Sequence, residues 1–341
     1  MMSNDEKKYI DYQPLEKVPG LAFRYFSGEE DYQLKLDLWK EAREFNGFDW
    51  VATLEDVKND EKWRSHFDIY QQQLYVELYG QPLGYMEFNW NRETRPDVRA
   101  HYINLCIPEE NWQDDVPQLM LEFCEQQAAA MTADLPGDIP DVFQVWKKQK
   151  AEKQLAFLKA NGYQPSRYFF EMVRPIDLPL DEHPMPAGLE IRPAMPEDFR
   201  KIWDANQEAF EDHWGYAPPE EGHFEAWLED RLFQPQYWKV AWDGDQVAGM
   251  VGNFFDPKEN KEFNRQRGFT EDIWVRRPWR GLGLAKALIA ESIRMFKEMG
   301  MEETCLGVDA ENPNGALKLY TRMGYEEDPD KTSLVLRKKV R

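Results

Sequence analysis

The sequence has no run of 18 apolar residues, and this excludes a membrane-spanning helix built from one continuous segment. The opening stretch, Met1 to Asp11, is polar and charged. It lacks the apolar core of a secretory signal, so a cytoplasmic location is expected. Cysteine is scarce. Cys106, Cys124 and Cys305 stand far apart with no C-x-x-C pair, which argues against a disulfide framework and for reduced, mostly buried thiols. Histidine is as sparse: His66, His101, His183, His213 and His223 never fall four residues apart, and no cysteine joins them. No metal site is therefore expected.

Positive charge is also in deficit. Lys and Arg number 42 against 63 Asp and Glu, for a formal net charge of -21. A surface of that sign repels nucleic acid and anionic lipid, so neither a nucleic-acid nor a membrane partner is expected. It either favours a cationic small molecule such as an amine or simply keeps the chain soluble, and the sign alone does not choose. No residue pattern sets an oligomeric state. The material of a folded core is plentiful: 42% of the 341 residues are hydrophobic and 14% aromatic, enough for two domains each with its own core.

Pro175, Pro179, Pro184 and Pro186 crowd into twelve residues. Proline removes backbone donors and favours extended chain, so the stretch reads as a linker. The expected division is a first domain over residues 1-174, a linker over 175-187 and a second domain over 188-341. The halves share a plan. Gly20-Leu21-Ala22-Phe23-Arg24 opens one and Gly188-Leu189-Glu190-Ile191-Arg192 the other. A hairpin follows in each, turning at Gly80-Gln81 and at Asp243-Gly244-Asp245. Near each end a helix stops at glycine followed by tyrosine, Gly162-Tyr163 and Gly324-Tyr325. The pairs Gly20/Gly188, Gly84/Gly249 and Gly162/Gly324 give offsets of 168, 165 and 162 residues, the mark of a duplicated domain. Strands followed by helices in this order imply an α/β or α+β fold with a mixed sheet and helices on its faces.

The chemistry concentrates in Glu271-Asp272-Ile273-Trp274-Val275-Arg276-Arg277-Pro278-Trp279-Arg280-Gly281-Leu282-Gly283-Leu284-Ala285. A β-rich run ends near Val275, a turn carries Pro278, and a helix begins after two glycines. Ala285, Leu288, Ile289, Ser292 and Phe296 fall at helical spacing on one face. Unpaired N–H groups of such a loop, the helix dipole and the absence of Cβ atoms suit a pyrophosphate. Arg280, with Arg276, would add full charge. A dinucleotide fingerprint is excluded because Lys286 holds its third glycine position, and the nucleotide P-loop pattern is absent.

The phrase R-G-L-G-L-A after V-R-R-P-W resembles the acyl-CoA loop of the GNAT family of N-acetyltransferases, [R/Q]-x-x-G-x-[G/A], with Arg280, Gly283 and Ala285 at its specified positions. A second phrase, Asn312 to Tyr325, matches the family's N-x-x-A-x-x-L-Y-x-x-x-G-[F/Y], shifted by one residue at the first gap. The resemblance implies two tandem domains of that fold, with two parallel strands, one ending at Val275 and one near Thr304 to Val308, that splay to admit the CoA arm. It implies acetyl-CoA as co-substrate, held by Ile273, Trp274, Val275, Arg280, Gly281, Leu282, Gly283, Leu284, Ala285, Asn312 and Tyr320. A backbone N–H near Val275 would polarise the thioester carbonyl. Tyr320 would protonate the departing sulfur, or else is a packing tyrosine. Glu271 is the first candidate for the base that deprotonates the acceptor, or else a solvated strand end; Asp272 would face the other way on a regular strand. The aromatic and acidic segment Phe210-Glu211-Asp212-His213-Trp214-Gly215-Tyr216 would hold an amine or act as a lid, with His213 as an alternative base.

In the first half the corresponding stretch runs from Asn104 to Pro117, with Gln113-Asp114-Asp115-Val116 in place of R-G-L-G, so no glycine remains and two carboxylates face the place of a phosphate, and Leu158 falls where Tyr320 stands. That half reads as degenerate. The function expected is transfer of acetyl from acetyl-CoA directly to a primary amine, of a small molecule, without a metal. The alternatives are a non-catalytic acyl-CoA-binding regulator and a peptide or protein N-terminal acetyltransferase.

Overall fold

In the computed structural model, which describes residues 7–48, 50–113 and 115–340, period-2 apolar runs form strands and period-3.6 runs form helices. The first part of the chain gives β1 (Leu21–Tyr25), α1 (Glu29–Ala42), α2 (Leu54–Asp60), α3 (Ile69–Gln72), β2 (Gln73–Leu78), β3 (Gln81–Thr94), β4 (Asp97–Cys106), α4 (Asp115–Met131), β5 (Asp141–Lys148) and α5 (Glu152–Ala160). The rest gives β6 (Gln164–Pro175), β7 (Glu190–Arg192), α6 (Phe199–Phe210), α7 (His223–Leu228), β8 (Lys239–Asp243), β9 (Gln246–Phe254), α8 (Pro257–Glu262) and β10 (Arg267–Val275). It closes with α9 (Leu284–Glu298), β11 (Glu303–Asp309), α10 (Ala316–Arg322), β12 (Glu326–Glu327) and β13 (Ser333–Lys339).

These elements form two compact units. One comprises the residues up to Ser166 and those from Ser333 onward, the other Arg167–Thr332. The first unit's strands run β1-β2-β3-β4-β5-β13, antiparallel except for the parallel pair β4 and β5. In the second unit the order is β7-β8-β9-β10-β11-β6, antiparallel except for β10 and β11. The plan is the same strand for strand, a mixed α/β sheet in each, as the duplicated landmarks imply.

The boundaries differ from the expected 174 and 188. The strand that follows α5 belongs to the second unit, since its residues Phe169–Pro175 pair with Asp309–Glu303 of β11. The last strand of the chain belongs to the first unit, paired along β5 from Lys148 to Val142. A ladder of backbone hydrogen bonds assigns a strand to its sheet whatever its place in the sequence. The proline-rich stretch does lack helix and strand from Ile176 to Leu189. Its first turn is fixed by the fully buried Arg174, whose guanidinium donates to the carbonyls of Pro175 (2.9 Å), Leu178 (2.9 Å), Pro179 (3.0 Å) and Met323 (2.8 Å).

The repeated turns are built alike. Tyr79-Gly80 joins β2 to β3 with both residues at positive φ, and Gly244 (φ 59) opens the turn between β8 and β9. Both helices that precede a Gly-Tyr pair end in one closing motif. Tyr163 N–H donates to Leu158 O (3.0 Å) past Gly162, and Tyr325 N–H to Tyr320 O (3.1 Å) past Gly324. Both tyrosines are fully buried. The two motifs equate Leu158 with Tyr320.

Helices cover both faces of each sheet. In the second unit α9 lays Leu284, Leu288, Ser292 and Phe296 along one stripe with Ile289 and Ile293 beside it, against Ala241, Ala248 and Val251. Each large apolar side chain so buried contributes about 2 kcal/mol. On the other face Ile202, Ala205 and Ala209 of α6 meet Val240, Val247, Met250 and Trp274. Gly268 of β10 admits α9 closely: a Cβ there would lie 2.5 Å from the Phe296 ring.

Candidate active site

The parallel pairing of β10 and β11 covers only Arg267–Phe269 against Glu303–Cys305, after which the strands part. The cause lies in β10. Its register against β9 slips between Glu271 and Trp274, and Asp272 takes φ 45. A bulge adds a residue on one strand and bends it away from its neighbour. The opening is a cleft of about 730 Å³ in the second unit, lined by β10, the loop into α9, β11 and α10.

The bulge also sets which backbone groups face the cleft. Arg276 N–H donates to Ala248 O of β9 (3.0 Å). Alternation along an antiparallel ladder then turns both polar groups of Val275 away from β9. Arg280 Nε donates to the Val275 carbonyl (2.9 Å), so the Val275 N–H, on the same edge, is left facing the cleft that Val275 lines.

The loop beyond forms a cradle. Gly281 (φ 80) and Gly283 (φ 89) are left-handed, and a Cβ on either would meet nothing within 4 Å. The glycines are needed for the backbone shape and leave open space above it. The first N–H groups of α9 have no intrahelical acceptor, and the dipole adds partial positive charge at that end. Leu284, Ala285 and Lys286 line the cleft here. Leu282 does not; its side chain is 58% exposed and points to solvent. Asn312 lines the cleft and its Oδ1 accepts from the Asn314 N–H (2.9 Å), closing the turn into α10.

The arginines are deployed differently from the sequence expectation. Arg280 reaches the cleft but its guanidinium is spent on Val275 O, Ala209 O (3.2 Å) and Asp212 (3.1 Å). It braces the loop against α6. Arg276 lies outside the cleft lining, held by Glu208 (2.6 Å) and Val247 O (3.1 Å). Lys286, in the first turn of α9, also lines the cleft beside the cradle. Asp212, expected to help hold an amine, is bound by Arg277 and Arg280, which keep its carboxyl down at about 2. Glu211 also faces Arg277. The acidic pair is therefore a structural clamp, while Phe210 and His213 of that segment do line the cleft. Burial lowers the His213 pKa and favours the neutral ring.

Glu271 spans the gap between the splayed strands, its Oε1 accepting from the Gly307 N–H of β11 (2.8 Å). Desolvation first, then repulsion from Asp272 and Glu171, push its carboxyl up to about 8 against that hydrogen bond. Asp272 was expected on the opposite face. The bulge brings it to the same cleft, where it is open to solvent yet surrounded by protein, and desolvation and Asp230 raise its carboxyl to about 6. Tyr320 of α10 lines the cleft, 5% exposed. Burial and the charge of Glu271 raise its pKa, so the phenol keeps its proton.

The structure thus gathers Glu271, Ile273, Trp274, Val275, Arg280, Gly281, Gly283, Leu284, Ala285, Asn312 and Tyr320 around one cleft. Sequence reasoning missed Asp272, Lys286 and Phe169. The first needed the bulge, and Phe169 comes from β6, which the sequence assigns to the other half. Lys286 was legible, standing one residue after Ala285, but was read only as a missing glycine. Among the described residues no group of three His, Cys, Asp or Glu could hold a metal ion, and no helix is long and apolar enough to cross a membrane.

The first unit keeps parted strands, but its sequence has neither the glycine pair nor a tyrosine at the position of Tyr320. β4 and β5 pair from Arg99/Asp141 to Tyr102/Gln144 and then part, but the gap holds Lys147. Its ammonium donates to Leu105 O (3.3 Å) and Asn46 Oδ1 (3.3 Å), and burial lowers its pKa to about 8. Trp112 packs on Phe45 and Phe157, and Pro117, in the first turn of α4, has no N–H to offer. Leu158 is buried in the core. Asp114, one of the two carboxylates noted in the sequence, lies outside the described residues.

The sequence model of the acetyltransferase (GNAT) family matches residues 199–325. The chain is 28% identical over 193 residues to a mycothiol acetyltransferase of Pseudarthrobacter chlorophenolicus, covering 54% of this chain and 57% of that protein. It is 30% identical over 172 residues to one of Salinispora arenicola, covering 48% and 53%. The chain spans little more than half the length of these curated relatives. Two solved structures share the fold across nearly the whole chain. A GCN5-related N-acetyltransferase from Sphaerobacter thermophilus has a TM-score of 0.67 at 24% identity, over 95% of this chain and 96% of that one. A tandem GNAT protein from the clavulanic acid biosynthesis pathway has a TM-score of 0.64 at 12% identity, over 94% and 98%. The splayed strands, the glycine cradle and both sequence signatures thus fall in one unit, within or beside the residues 199–325 that match the acetyltransferase (GNAT) family model.

Proposed function

We propose that the chain transfers an acetyl group from acetyl-CoA directly to a primary amine of a small molecule, in the cleft of the second unit. The observation that carries this reading is that Glu271 on β10 and Tyr320 on α10 line the same cleft as the Val275 N–H and the Gly281–Ala285 cradle. A protein that merely held acyl-CoA would need the cradle, but neither a proton donor nor a base.

The cradle N–H groups and Lys286 bind the pyrophosphate. The Val275 N–H donates to the thioester oxygen as it gains charge. Glu271, ionised, takes the first proton from the acceptor ammonium, and the freed nitrogen attacks the thioester carbon. As the carbon–sulfur bond breaks, Tyr320 gives its proton to sulfur and the nitrogen's second proton restores the phenol. Each turnover converts ammonium and thioester to amide, thiol and one released proton. Asp272, beside Glu271 at the same cleft, attracts the incoming ammonium. The names of the relatives, mycothiol acetyltransferases, agree with a small-molecule acceptor.

Calorimetric titration of acetyl-CoA into the wild type and into Gly283→Glu tests the reading. One site per chain is expected, lost in the variant. Turnover of small primary amines should then exceed that of peptide N-termini. No binding of acetyl-CoA overturns the reading; two sites overturn the degenerate status of the first unit; faster turnover of peptides moves the acceptor class.

A further inference from the structure

The first unit has no glycine pair at the position of the donor loop, yet it keeps a cleft of its own. This cleft measures about 570 Å³, in the range of small-ligand pockets, and it is lined by β3, β4 and β5 and by the segment after α2. Asp60, Arg64, Glu87 and Lys147, four of the five charged side chains on its wall, are already paired. Arg64 and Lys35 both bond Glu87, and Arg64 also bonds Asp60. Lys147 is committed to Leu105 O and Asn46 Oδ1. The wall therefore does not call for an ion.

It does call for a hydrogen-bonding neutral molecule. Ser65 lines the cleft and is only 3% exposed, and its hydroxyl has no hydrogen-bond partner among the described residues. A buried hydroxyl left in that state is costly, and a ligand group that pairs with it removes the cost. Asn89 donates to Ser65 O (3.1 Å) and Asn104 to Glu87 (3.1 Å), and each retains its amide oxygen as an acceptor. The Asn91 side chain, on the same wall, has no partner among the described residues. Amides offer donors and acceptors side by side, as do the hydroxyls of a sugar or polyol. Trp146, 44% exposed at the cleft, presents the apolar face on which the C–H side of such a molecule would lie.

We propose that the first unit binds a neutral polyhydroxylated small molecule of monosaccharide size in this cleft, without reacting with it. The proposal is independent of the activity of the second unit. It is tested on the full chain with the methyl glycosides of D-glucose, D-galactose and D-mannose, followed by saturation-transfer NMR and calorimetry, with acetyl-CoA titrated in parallel. At least one glycoside is expected to bind. Trp146→Ala and Ser65→Ala should each weaken it about tenfold. Ser65→Ala should leave the melting temperature unchanged or raise it, because it removes an unpaired hydroxyl rather than a contact. Acetyl-CoA binding should be the same in all three proteins, so its failure would count against the activity and not against this site. The proposal is overturned if none of the glycosides binds at tens of millimolar, or if binding survives both substitutions. It is equally overturned if inorganic phosphate binds in their place and Lys147→Met abolishes it.

Discussion

Glu271 combines a hydrogen bond that favours its ionised form with surroundings that oppose it, and the surroundings win, placing its carboxyl at about 8. As the base it must be ionised, so turnover should rise with pH through about 8, and Glu271→Gln should flatten that limb. A pH–rate profile of both proteins checks this. Stability has the opposite sign. A carboxyl whose folded pKa is raised contributes fully below its unfolded value and loses that contribution as pH climbs through the folded value. Glu271→Gln should therefore gain melting temperature relative to the wild type between about pH 4.5 and 8; an unchanged difference across that window would refute the shift. Tyr320 acts later in the reaction. Tyr320→Phe should lower kcat roughly 10²-fold or more with acetyl-CoA affinity retained, and calorimetry beside steady-state rates separates these effects. Tyr320 was legible because its motif fixes its distance from Gly324. Asp272 was not, because one bulged residue reverses the face a side chain takes.

At the scale of elements, the turn into α9 depends on left-handed backbone at two positions. Gly283→Val forces a β-branched residue to φ 89, at a cost of about 2 kcal/mol. Since its Cβ meets no protein atom, the fold should persist while acetyl-CoA affinity falls at least about tenfold. Circular dichroism and calorimetry on one sample decide this. The end of β6 depends instead on Arg174. Its side chain holds five carbonyls in place of a helix or strand, and Arg174→Met should destabilise the second unit by about 3 kcal/mol, read from urea unfolding. The cradle could be read from sequence because a loop between a strand and a helix is local. The partners of Arg174 include Met323, 149 residues away, and no local pattern records them.

For the whole molecule, the last strand of the chain completes the first unit's sheet, far in sequence from the rest of that unit. Removing Ser333 onward would strip β13 from β5 and take Leu334 and Leu336 from the first unit's core. Hydrogen exchange should then quicken in β4 and β5 while α9 stays protected; equal loosening of α9 would count against the assignment of that strand.

Composition, two signatures and three paired glycines were enough to set the fold class, the duplication and the cradle, because each rests on contacts between residues near in sequence. Three features were decided only in the folded chain. Which strand closes which sheet depends on ladders between segments more than a hundred residues apart. That Arg280 braces the loop depends on α6 approaching from another element. Both carboxylates reach the cleft through the slip of β10 against β9, since side-chain direction in a strand follows from pairing and not from the residues themselves.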